Sequence, residues 1–152
     1  MGESQRKRRK VVRDGRIAIL VSSVVIVAIL LYFLINGVSR NPLKGEWYCE
    51  DTGHLIEIDN GKEMDIELLV KDEMVETKVF YEIDKETKVI SIKPHKQAYE
   101  ATAKDMQYLV TASMIDESLL EIIGTYQYSV EKDTLTLMNR EFGEKFIFTK
   151  VD

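Results

Sequence analysis

The chain has 152 residues, room for one domain beside a short N-terminal segment, and carries 21 Lys/Arg against 26 Asp/Glu for a net charge of −5. The charge is unevenly placed: residues 1–16 hold seven Lys/Arg against Glu3 and Asp14, a balance of +5, which leaves −10 for residues 17–152. An acidic body of this kind is repelled by nucleic acid and by anionic headgroups, so nucleic acid is excluded as its partner.

The basic run Arg6-Lys7-Arg8-Arg9-Lys10 sits just before an apolar stretch, where its meaning is topological. From Ile17 to Val38 no residue is charged, and only Ser22, Ser23 and Asn36 are appreciably polar. At about 1.5 Å per residue, a helix over this run spans roughly 33 Å, close to the thickness of the hydrocarbon layer. The reading is one uncleaved transmembrane helix over residues 17–38, with the tail of residues 1–16 in the cytoplasm. Only Arg40 and Lys44 follow closely on the other side, which places the C-terminal part outside. The alternative is a signal peptide cut near Ser39, since Gly37-Val38-Ser39 offers small residues. An apolar run longer than a signal-peptide core favours the anchor.

Residues 39–42 read as a short linker and residues 43–152 as the outer domain, large enough for a core of its own. Cys49 is the only cysteine, so neither an intrachain disulfide nor a cysteine metal site is available. A disulfide-free domain outside a membrane points to a bacterial surface. Between Tyr48 and Glu50, Cys49 reads as a buried strand residue.

The domain then turns to alternation, the period of strands with one buried face. Met64, Ile66, Leu68 and Val70 fall on one side, and Asp65, Glu67 and Lys71 on the other. Val79, Tyr81 and Ile83 repeat the pattern, then Ile90 and Ile92, then Ile122, Gly124, Tyr126, Tyr128 and Val130. Turn signals stand at 51–53, 60–61, 84–87, 131–133 and 142–143. Residues 125–151 read as three strands in a meander, and Gly124 as a place where a strand bends sharply or another side chain crowds in. Over residues 97–114 a helical stripe (Tyr99, Ala103, Met106, Val110, Met114) competes with a strand (Met106, Tyr108, Val110, Ala112, Met114); Ala98, Ala101 and Ala103 tilt the reading to a helix.

Lys44-Gly45-Glu46-Trp47 opens the first strand as the G-x-W motif opens a lipocalin, and the closing G-x-Y, D-T-L-T-L and F-x-F strands are similar to those of bacterial lipocalin-like domains. The resemblance covers the two ends of the domain and implies an antiparallel up-and-down barrel, or a strongly curved sheet, of about eight strands. It also implies that Trp47 plugs one end, with Lys150 or Arg140 packed across it.

No catalytic, cofactor or metal signature is present. His54 and His95 lack metal-ligand spacing and read as surface or strand-end residues. Glu57, Asp59, Glu63, Asp65 and Glu67 share a face, which alternation assigns to solvent. The aromatic set Trp47, Tyr81, Tyr126, Tyr128, Phe146 and Phe148 points to the barrel interior, as core or as the lining of an apolar site. The functional expectation is a non-enzymatic, membrane-anchored binding or interaction module, accessory to a process of the bacterial cell envelope through a protein partner. The alternative is a carrier or sensor of a small apolar ligand, and an enzyme would need titratable groups converging in a cleft.

Overall fold

The computed structural model describes residues 23–32 and 41–151. Residues 23–32 form a helix, α1, with every side chain exposed. Among the described residues, no helix is long and apolar enough to cross a membrane. The remainder of the expected span (17–22 and 33–38), the basic tail, residues 39 and 40 of the linker and the alternative cleavage point near Ser39 lie outside the described residues.

Residues from Asn41 onward form a compact unit of their own. Its elements are β1 (Gly45–Cys49), β2 (Leu55–Ile58), β3 (Glu63–Val70), β4 (Glu73–Asp84), β5 (Val89–Lys93), α2 (Lys96–Asp105), α3 (Ala112–Ser118), β6 (Gly124–Glu131), β7 (Thr134–Asn139) and β8 (Lys145–Lys150). Each strand pairs antiparallel with the next, and β8 returns to β1 with Trp47 opposite Lys150, which closes an eight-stranded barrel. Closure removes the unpaired edges that an open sheet would expose.

Alternation explains which side chains enter the core. On β3, Met64, Ile66, Leu68 and Val70 are buried, and on β4 Val75, Thr77, Val79 and Tyr81 are. Burying each aliphatic side chain of such a row contributes about 1.5–3 kcal/mol, and the outward Asp65 and Lys78, register partners 2.5 Å apart, need no burial. Between these strands the chain reverses through Lys71 and Asp72, both at positive φ (47° and 69°), as in a type I′ turn. The sequence reading carries its outer row on to Lys71 and has no turn there, so it leaves the first half of β4 unassigned. Asn-Gly or Asp-Gly is the usual signal for this turn, and here it is absent.

The stretch between β5 and β6 is two helices. α2 begins where the His95 side chain accepts the amide proton of Ala98 at 3.3 Å, and α3 where the Thr111 hydroxyl accepts that of Met114 at 3.3 Å. The single helix expected over 97–114 is broken by Gln107 and Tyr108, both in the left-handed region (φ 54° and 60°). Neither is glycine, so the sequence carries no warning of the break. β4 extends past the end of β5, and α2 lies against that extension: the Thr102 hydroxyl is 3.3 Å from the Glu76 carbonyl and 3.1 Å from the Thr77 hydroxyl. Tyr99, Val110, Ile115, Leu119 and Ile122 enter the same core as the strands. Cys49 is fully buried on β1.

Candidate functional site

The six aromatic residues singled out by sequence share one interior. Trp47, Tyr81, Tyr126, Tyr128 and Phe148 are buried in the core, and Phe146 is half-buried, meeting Tyr126 edge-on with centroids 5.8 Å apart. Trp47 is held from three sides. Its Nε1 donates to the Leu43 carbonyl at 2.8 Å, the Lys150 ammonium lies 6.0 Å from its ring centroid, and Gly45 starts the strand two residues earlier at φ +142°. A Cβ at Gly45 would lie at ordinary contact distance from Lys150 Cε (3.4 Å) and the indole (3.7 Å), so it is the positive φ rather than crowding that calls for glycine two residues before Trp47. Of the two basic residues offered for the position over Trp47, Lys150 takes it. Arg140 instead donates to the Gln127 side-chain oxygen at 3.3 Å.

The same construction recurs at β6. Tyr126 lies over Gly124, where an added Cβ would stand 3.4 Å from its hydroxyl oxygen, and that hydroxyl donates to the Glu121 carbonyl at 3.1 Å. Burial, with Glu144 and Glu121 nearby, pushes the Tyr126 phenol up to about 12. Gly124 opens the strand, and of the two readings offered for it the close approach of a side chain, here Tyr126, is the one the geometry shows.

At the end where the chain enters, Asn41 to Lys44 close the barrel. Leu43 is fully buried; the Asn41 amide donates to the Asp59 carbonyl at 2.8 Å and to the Tyr81 hydroxyl at 2.9 Å, and that hydroxyl donates to the same carbonyl at 2.6 Å. Lys44 pairs with Asp59 at 2.5 Å and holds its carboxyl below the usual range. Asn41 and Pro42, expected as linker, are therefore part of this closure.

No family model, curated protein or solved structure matches the chain.

The polar groups are dispersed rather than convergent. Of the acidic face, Asp65 pairs with Lys78, Glu63 with His95 at 3.2 Å and Asp59 with Lys44. Among the described residues no three His, Cys, Asp or Glu side chains are grouped to hold a metal ion. His95 caps α2 and stacks on Phe80 at 3.9 Å. His54 departs from the expectation of a surface residue: it is 4 % exposed, with Nε2 3.4 Å from Glu121 Oε1. Burial lowers its pKa, and the Glu121 charge opposes that shift in part. One signal was legible, since His54 lies in phase with the buried Ile56 and Ile58.

Proposed function

We propose that the protein is a lipocalin-like barrel tethered by a single transmembrane helix, acting outside a bacterial membrane as an interaction module of the cell envelope and not as an enzyme. The observation that carries the tether is the uncharged 22-residue run behind a +5 tail, of which residues 23–32 are helical with their apolar side chains exposed. An exposed helix of Val, Ile and Leu calls for an apolar surrounding such as lipid. The lipocalin likeness draws support from closure by β8 on β1 and from Lys150 over Trp47.

Interaction through the outer surface is favoured over the carrier alternative by what fills the barrel. Five of the six interior aromatics are at most 6 % exposed and pack with aliphatic neighbours. A ligand would have to displace them and forgo contacts at the packing density of a protein interior. Protease treatment of intact cells tests the topology: the barrel is digested and the basic tail protected, with the mature chain keeping its full mass. Protection of the barrel, or a mass that begins near residue 39, overturns the tether.

A further inference from the structure

The two ends of the barrel differ in chemistry. At the end where Asn41 enters, the connecting segments (41–44, 59–62, 85–88 and 132–133) hold three acidic residues against five basic. At the opposite end, the connections (50–54, 71–72, 94–123 and 140–144) hold ten acidic against four basic. This acidic end also gathers exposed apolar side chains. Tyr108, Leu109, Leu120 and Phe142 are 64–75 % exposed on its connections, and Leu69 and Met74, paired across the Lys71-Asp72 turn, are 58 % and 55 % exposed.

These segments form one end face. α3 packs on β3 and α2 on β4, His54 joins the β1–β2 turn to the segment after α3 through Glu121, and β1–β8 pairing sets the 140–144 turn beside 50–54. Isolated exposed apolar residues are ordinary, but a set collected on one end of a barrel, where the described non-strand residues of the other end expose only Val151 at 38 %, marks an interaction surface. The charge decides the occupant. Anionic lipid and nucleic acid have the same sign as this face, whereas a cationic chain with an apolar stripe complements both of its features.

We propose that this end face, centred on Tyr108, Leu109 and Leu120, docks a basic amphipathic segment of another polypeptide. The proposal rests on the interaction-module reading and supplies its partner chemistry. It also gives the fold a direction, because the face is at the end opposite the point where the chain enters.

The test uses the full chain in nanodiscs of zwitterionic lipid and an 18-residue labelled helical peptide with leucine on one face and lysine on the other. Binding is read by fluorescence anisotropy. The peptide binds, affinity falls with added salt, and the combined Tyr108→Ser, Leu109→Ser and Leu120→Ser variant weakens it about tenfold or more, as expected for central anchors. The counterpart with Glu in place of Lys binds at least about tenfold more weakly, since like charges oppose docking. An unchanged melting curve for the triple variant, read on Trp47 fluorescence, shows that the fold is intact. Absence of binding, equal affinity for the Glu peptide, or affinity untouched in the folded triple variant overturns the proposal. So does concentration-dependent self-association that the triple variant abolishes while the peptide fails to bind, which assigns the face to a second copy. Protease topology on cells is independent: a barrel found outside but blind to the peptide loses the docking face alone.

Discussion

Replacing Trp47 with alanine removes the largest side chain of the core at the place where β1 closes on β8. Truncating a buried aromatic to alanine costs about 3–5 kcal/mol, and the loss leaves the Leu43 carbonyl without its 2.8 Å donor. An unsatisfied buried carbonyl raises the total to roughly 4–8 kcal/mol, a large part of the about 5–15 kcal/mol that holds a typical domain. Trp47→Phe keeps most of the ring volume and loses the donor, so it should cost about 1–3 kcal/mol. Lys150→Met leaves both packing and donor in place and removes only the cation over the ring, worth about 0.5–1 kcal/mol at an exposed site. Urea unfolding of the full chain in micelles, followed by circular dichroism in the strand region, measures all three. Trp47 is the only tryptophan, so in the wild type its fluorescence reports the same closure directly. Loss of less than about 1 kcal/mol for Trp47→Ala would refute the claim that this closure is a centre of stability.

His54 should make the fold acid-sensitive. Its folded pKa lies below the unfolded value of about 6.5, so the unfolded chain binds the proton more readily. Stability is then full above the unfolded pKa and declines as pH falls from about 7 toward the lower folded pKa; His54→Phe flattens that part of a denaturation profile. Glu121→Gln removes the charge that favours the imidazolium, so an NMR titration should place the His54 pKa lower still and the acid-side loss should grow. Gly45→Ala forces a β-carbon onto backbone at φ +142°, a conformation L side chains rarely adopt, and should destabilise the fold by about 1–3 kcal/mol in the same urea assay. Asn41→Ala withdraws three hydrogen bonds at the closed end, two donated by its amide and one accepted from the Leu43 amide at 3.0 Å, and should cost about 1–3 kcal/mol, with faster amide exchange at Leu43 as the local sign.

The strands were legible where polar and apolar residues alternate strictly, as in Met64–Val70 and in Tyr126–Tyr128, because one buried face imposes a period of two. The interior aromatics followed from the same period. What stayed hidden lies where the backbone takes the left-handed region without glycine: Lys71-Asp72 and Gln107-Tyr108 each end an element, and nothing in their side chains requires it. The acidic, apolar end face was hidden for another reason. Its residues come from four connections far apart in sequence, and only barrel closure brings them to one end.

The paired Gly45–Trp47 and Gly124–Tyr126 arrangements explain how the barrel fixes its register. β2, β3, β4, β5, β7 and β8 each follow a turn of two to five residues, whose geometry sets the pairing of the strands it joins. The β8–β1 and β5–β6 pairings lack that help: no turn joins β8 to β1, and a 30-residue helical connection, residues 94–123, separates β5 from β6. A strand that slips by one residue turns its whole inward row to solvent, so these two need another constraint. Each receives the same one. An aromatic two residues into the strand lies against its opening glycine and bonds to a carbonyl upstream, Leu43 in one case and Glu121 in the other. That bond ties the strand to the irregular segment before it, and the glycine leaves the ring room to lie close against the backbone. The G-x-W motif at β1 is thus one of two register pins, and the barrel uses them at the two places where no hairpin can do the work.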